Sequence, residues 1–508
     1  MRRLRPLWAA IMDADSRGGM WIGRVLIALC CGLPLFQSYL PMRELPQYAA
    51  LSRMLVHLGD PAYGFGGYYE LDLWRGASVL PLWLWGVLAD CVGIQVASRV
   101  MACASVWLVQ SGIWAVLSGQ GKPWWLALLG VPFAYGGAFY QGLVPSGVSV
   151  GLGFWGIALV SRDSSPLTLR LRWCLFALGV ALPLTHPLGV GLVLLYVGCL
   201  AVVQLRAFRS RVAALCPLSP LLLAALSWCR AALHADGVAA LQFPSLALRI
   251  LRAPHVLLGG FQGQGEAWLL VAALVCWVYL CRPLLSDPRH LRLPLTAANW
   301  LFALVCLLGY VGLPASTWTT AAIYPRAGSV LLAWLPVLVP NGALGAARRR
   351  APALLIALAL SSIWYTREQL ERFSVEASAL STVLARVPER AKLLCLTYDN
   401  QGQVARSNPY LHACAYAQAE RGGFLALSRV DYGWTVPLRR RKAAVAPPPA
   451  YGSEWDPTLV QRDPGLLAFY DTVLVIGKEP REMTILMNTP YRLVARRGVF
   501  MLYTRAPI

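Results

Sequence analysis

Met42 to Trp74 reads MRELPQYAALSRMLVHLGDPAYGFGGYYELDLW, and the rest of the chain is organised around it. It is the first long polar interruption after the first apolar run. It holds Glu44, Asp60, Glu70 and Asp72 in a 508-residue chain that has only 24 acidic residues. Pro46 suits the first turn of a helix, and Leu45, Tyr48, Leu51, Leu55 and Leu58 recur at three- and four-residue spacing. This predicts a short amphipathic helix lying on the outer membrane face and ended by Gly59-Asp60-Pro61. Gly64, Gly66 and Gly67 then form a flexible turn into Tyr68-Tyr69-Glu70. Glu44 stands at the helix start, where the dipole favours an ionised carboxylate. Two readings are open for it: a cap facing water, or a functional acid.

Working outward, composition fixes the solvent. Hydrophobic residues make up 57% and charged residues 14%, and the mean hydropathy is +0.54. That excludes a water-soluble globule and predicts a polytopic α-helical membrane protein. The net charge of +21 does not point to nucleic acid, because the arginines fall in short clusters between apolar runs. There they set orientation and contact anionic membrane lipids. Most of the 13 cysteines lie inside apolar runs and show no metal-ligand spacing.

A basic N-terminus precedes an apolar run from Trp21 to Leu40, read as an uncleaved first spanning helix with its N-terminus in the cytoplasm. Ser78 to Gly93 is short and contains Pro81, and is read as dipping into the outer leaflet without crossing. The runs from Ser98–Leu117 and Trp124–Tyr140 onward to Ala351–Tyr365 then alternate. Arg162/Arg170/Arg172, Arg206/Arg209/Arg211, Arg282/Arg289/Arg292 and Arg348-Arg349-Arg350 all land inside. The expected count is eleven spanning helices.

Residues 1–366 are read as the membrane domain, with an outer loop at 41–77, and 367–508 as a small extracytoplasmic α/β domain. The latter should hold a helix over Glu368–Val387, strands at Lys392–Thr397 and Asp471–Ile476, a helix over Pro409–Arg421, and a hairpin around Arg497-Gly498. Pro437 to Pro464, basic and proline-rich, is expected to be a mobile loop. Cys395 and Cys414 are the only cysteines in this part, and in an oxidising compartment they either pair or stay free.

Other candidates lie on outer connections. Arg326 sits at the mouth of an apolar helix, where it either snorkels to lipid phosphate or holds the phosphate of a lipid-linked substrate with its planar fork. Phe243 to Leu258, carrying Arg249, Arg252 and His255, is expected to lie on the interface as a lid. His186, in Thr185-His186-Pro187, is either a turn residue or part of the site.

The order of basic N-terminus, one helix, then Glu44, Tyr48, Ser52, Arg53, Met54, Leu55, Gly59 and Asp60 resembles the acidic outer loop of the GT-C glycosyltransferases. The arrangement is similar to that of bacterial aminoarabinose transferases and protein O-mannosyltransferases. FYQGLVPSGVSVGLGFWGIAL (139–159) and THPLG (185–189) are similar to segments of other bacterial members. The motif covers about 20 residues, and the architecture matches nearly the whole chain.

The resemblance implies transfer of a sugar from a polyprenyl-phosphate donor to a glycan, lipid or protein acceptor at the outer face, with inversion. Glu44 would be the base and Asp60 a second carboxylate. Arg326 would contact the lipid phosphate, with Arg249 or Arg252 as further cations. Tyr48, Glu70, Asp72 and His186 complete the expected substrate-binding set. Many relatives pair two acids where this chain has Arg43-Glu44, and a Lys-Pro element is replaced by Glu70-Leu71-Asp72. A divalent metal therefore remains an open expectation. The competing classes are a lipid or polysaccharide transporter or flippase, against which ionisable residues inside spans are few and no internal repeat is seen, and an inactive GT-C-like scaffold.

Overall fold

The structure, a computed structural model, describes residues 17–73, 77–161, 168–204, 216–233, 242–286, 293–317, 320–321, 323–340, 350–432, 436–441, 452–477, 486 and 489–505. Arg162, Arg206, Arg209, Arg211, Arg289, Arg292, Arg348 and Arg349 lie outside these residues.

A bundle of apolar helices is followed by a small sheet domain. Among the described residues four helices are long and apolar enough to cross a bilayer: Gly18–Phe36, Ile94–Gly119, Gly265–Arg282 and Pro294–Gly312. Shorter apolar helices include Val144–Val160, Pro187–Val203 and Ile323–Leu338. Large side chains such as Leu29, Val275, Leu308 and Trp364 remain exposed on helix faces, as expected where lipid is the solvent. Small residues let the helices approach. A Cβ on Gly151 would sit 2.5 Å from the Leu108 carbonyl carbon, and one on Gly112 2.9 Å from the Gly151 oxygen.

Trp124 to Tyr140, expected as a single spanning helix, is instead a 3₁₀ run over Trp124–Phe133 and a separate helical turn at Gly137–Tyr140. Every residue of the 3₁₀ run is buried. Tight, imperfect backbone geometry is tolerated there because protein, not lipid, surrounds it. Val79–Val92 has 14 residues, about 21 Å of helix, which falls short of the ~30 Å hydrocarbon core. Gly93, at φ +80°, breaks it from Ile94–Gly119.

The helix expected to start at Glu368 is continuous with the apolar one before it, forming Ala351–Leu384 with 34 residues. It leads into a five-stranded sheet ordered Phe424–Leu425, Lys392–Thr397, Thr472–Ile476, Phe500–Arg505, Tyr491–Arg497. Lys392–Thr397 pairs in parallel with Thr472–Ile476, and the last two strands form the expected hairpin. The helix expected over Pro409–Arg421 is confined to Ala415–Arg421, because Asn408 and His412 take positive φ values of 56° and 69°. Cys395 and Cys414 form a disulfide.

The stretch expected to be a mobile loop, Pro437 to Pro464, is largely structured where described. Leu438–Arg440 pairs antiparallel with Tyr69–Leu71 of the outer loop, and Ser453 and Glu454 are buried. Residues 442–451 lie outside the described set.

The disulfide closes a loop with a sequence separation of 19, for which chain entropy gives about 3 kcal/mol. Replacing both cysteines with alanine should destabilise the sheet domain by about that amount. Faster hydrogen exchange in Lys392–Thr397, with the apolar helices unaffected, is the expected readout.

Candidate functional site

Leu45–Val56 forms the expected helix, but Leu45 through Met54 are all buried. The helix is roofed by the sheet domain and does not lie free on a membrane surface. Its roof is specific: the Gln47 side-chain amide donates to the Leu427 carbonyl at 3.0 Å, and the Arg429 amide donates to Gln47 Oε1 at 2.8 Å. At the helix start the backbone N–H groups of Arg43 and Glu44 donate to the carbonyls of Tyr140 and Gln141, each at 3.1 Å. Gly142, at φ +76°, permits this approach, since a Cβ there would meet Glu44 N at 2.7 Å.

Glu44 makes no side-chain cap bond and is 4% exposed. Its Oε2 accepts from Arg429 at 2.7 Å and from the Tyr432 hydroxyl at 3.1 Å. Oε1 faces Arg43 at 3.3 Å and His412 Nε2 at 3.8 Å. Burial alone would raise the carboxyl, but Arg429, His412, Arg43 and the Tyr432 hydroxyl outweigh it and hold it at about 2. The Arg429 guanidinium lies 4.5 Å from the Tyr48 ring centroid and 5.5 Å from that of Tyr432, so aromatic faces and carboxylate share the cation.

Behind His412 stands Glu454, 2% exposed. One of its oxygens takes the His412 backbone N–H and the other takes the ring Nδ1 at 3.1 Å. Arg440, paired with Asp431 and lying over the rings of Tyr69 and Phe424, anchors the turn that carries Arg429 and Tyr432.

Arg326 is close enough to Tyr48, Arg429 and Glu44 to feel their charges. It lines a cavity with Met42, Phe139, Val144, Leu188 and Ser329 whose walls are otherwise mostly apolar. His186 is buried, its Nδ1 accepts from Leu188 N at 3.2 Å as a helix cap, and it too lies within range of Arg326 and Arg429. Glu44, Tyr48 and His186 thus each lie within electrostatic range of Arg326.

The other expected residues sit elsewhere. Asp60, at the far end of the helix, pairs with His57 at 3.2 Å and accepts from Ala62 N at 2.9 Å. Glu70 pairs with Arg439 at 2.7 Å, and Asp72 lies 4.0 Å from the same guanidinium. Arg249 is buried, donating to the carbonyls of Tyr310, Leu313 and Pro244. Arg252 is exposed on the Leu246–Leu257 helix.

Arg429, Tyr432, His412 and Glu454 were not singled out from the sequence. Only the scarcity of acids marked Glu454, and nothing local marked the others. Among the described residues no three His, Cys, Asp or Glu side chains stand at metal-ligand spacing.

The chain has a GT-C-like fold. Two solved structures to which it is similar are of ArnT from Cupriavidus metallidurans. The apo form matches with a TM-score of 0.57 at 12% identity over 96% of this chain and 98% of that one. The form bound to undecaprenyl phosphate matches with a TM-score of 0.56 at 11% identity, again over 96% and 98%. No protein-family model matches the chain, and no curated protein matches it in sequence.

The depressed Glu44 carboxyl has a pH consequence. A group whose folded value lies near 2, against an ordinary 4.5, stabilises the fold above the ordinary value and loses that contribution as pH falls from 4.5 towards 2, about 3 kcal/mol in all. Hydrogen exchange at Leu427–Tyr432 should therefore rise as pH drops below about 4.5, after correction for intrinsic rates. Glu44→Gln should abolish that dependence.

Proposed function

We propose that the chain is an inverting glycosyltransferase that moves a sugar from a polyprenyl-phosphate donor to an acceptor at the outer face of a bacterial inner membrane. The observation that carries this reading is Arg326 at the wall of an apolar cavity, within electrostatic range of the buried carboxylate of Glu44. A polyprenyl phosphate is an apolar chain ending in an anion, and that wall offers both chemistries.

The departing lipid phosphate needs cationic contact more than a proton, and Arg326 supplies it. The acceptor hydroxyl is a weak nucleophile, and the carboxylate of Glu44 orients it and takes its proton as the new bond forms. The structural neighbour bound to undecaprenyl phosphate supports the same class of donor carrier. The sheet domain, continuous with the membrane part through Ala351–Leu384, is placed on the outer side in this reading, which suits its disulfide.

The test uses membranes whose polyprenyl-phosphate sugars carry a radiolabel, and follows label leaving the lipid fraction. Glu44→Gln should slow release by about 100-fold or more at normal protein level. Arg326→Gln should weaken binding of undecaprenyl phosphate to the purified protein about tenfold or more, and Arg326→Lys should restore it only in part because the planar fork is lost. Release unchanged in Glu44→Gln would overturn the role given to this residue.

A further inference from the structure

The pair behind Glu44 is unexplained by packing alone. His412 and Glu454 are both nearly inaccessible to solvent, at 1% and 2%, in a chain with six histidines. Burying a carboxylate and an imidazole together is costly unless each is fully engaged. Both Glu454 oxygens are committed to His412, one to its backbone N–H and one to its ring. His412 itself sits at φ +69°, a conformation unfavourable by about 1 kcal/mol or more for a residue with a Cβ. Such strain persists where the surroundings over-determine a position.

The tautomer follows from the partners. An ionised carboxylate only accepts hydrogen bonds, so the proton belongs on Nδ1, facing Glu454, and the Nε2 lone pair is left facing Glu44. Nε2 stands 3.8 Å from Glu44 Oε1, beyond hydrogen-bond range. A proton held between them would draw the two into hydrogen-bond range. The groups facing His412 are Glu44 from the outer loop, Glu454, and the rings of Tyr432 and Trp455, with Arg43 and Arg429 reaching it through Glu44.

We infer that His412, oriented by Glu454, is the positioning and proton-accepting partner of Glu44, so that the sheet domain supplies the group to which Glu44 passes the acceptor's proton. This rests on the transferase reading above. In the step, the acceptor oxygen forms its bond to the anomeric carbon while the bond from that carbon to the phosphate oxygen breaks. The electron pair leaves on the lipid phosphate. The acceptor's proton passes to Glu44 and then to His412 Nε2, leaving an imidazolium between two carboxylates until water removes the proton. The Glu44 carboxylate is already engaged by Arg429, Tyr432 and Arg43, and the His412 ring nitrogen beside it offers the proton a second acceptor.

The experiment measures release of labelled sugar from the polyprenyl-phosphate pool between about pH 5 and 9, across the range in which histidine changes charge. His412→Asn is the informative variant. Asparagine tolerates the left-handed backbone, and its amide can still donate to Glu454, but it offers no base at the Nε2 position. The expected result is a fall of about 100-fold or more with loss of the acid limb, and undecaprenyl phosphate binding unchanged.

Glu454→Gln removes the anion that favours the imidazolium, so its acid limb should move to lower pH, which a merely structural role would not cause. A wild-type limb in His412→Asn, or an unmoved limb in Glu454→Gln, overturns the relay and leaves the transferase reading standing. No release from wild-type membranes overturns both.

Discussion

The contact between Glu44 and Arg429, 2.7 Å long and almost dry, is the interaction on which the rest of the arrangement depends. It joins residues 385 positions apart, one at the first turn after the opening helix and the other in the sheet domain. A buried pair of this kind adds little net stability compared with a well-packed apolar one. Breaking it by removing one partner leaves a charge with no compensation, at a cost of about 3–5 kcal/mol. The pair therefore acts as a register device: the sheet domain docks with Arg429 on Glu44 or docks badly. Tyr48 and Tyr432, on either side of the guanidinium, fix its position further.

A second clamp repeats the same logic. Asp431 holds Arg440 and accepts from the Ser428 amide at 2.8 Å, and Arg440 lies over Tyr69 and Phe424. One aromatic comes from the outer loop and one from the sheet. Pairing of Tyr69–Leu71 with Leu438–Arg440 adds a backbone tie at the same place. The turn bearing Arg429 and Tyr432 is thus held from both ends, which fixes its charged group in a low-dielectric setting.

How much of this was legible follows the range of each signal. The membrane class and the outer-loop helix were readable because hydropathy and three-to-four spacing are local properties, and the strands at Lys392–Thr397 and around Gly498 for the same reason. The 3₁₀ path of Trp124–Phe133 was not, since its apolar residues look like any span until burial on every side is known. Glu44 stood out as a scarce acid at a helix start, and Arg326 as an arginine beside an apolar run. Arg429 and His412 did not, because they meet Glu44 across hundreds of residues, and Glu454 did not, because it reaches the site only through His412, 42 positions away. The Pro437–Pro464 stretch misled for a related reason. Its basic run looks solvated in isolation, yet Arg439 and Arg440 each meet a carboxylate.

The location of the disulfide bears on the same geometry. Cys414 lies two residues after His412 and opens the Ala415–Arg421 helix, and Cys395 lies in the strand beside Thr472–Ile476. The bond therefore ties the segment that holds His412 in its unfavourable backbone state to the most buried strands of the domain. Ser407, just upstream, donates to the Pro41 carbonyl at 2.8 Å, fixing the other end of the segment to the exit of the first helix. With both ends held, the segment cannot relax the φ of His412 without breaking a covalent bond or a buried hydrogen bond. The strain is balanced by the sheet on one side and the outer loop on the other, and the imidazole is held at one distance from Glu44.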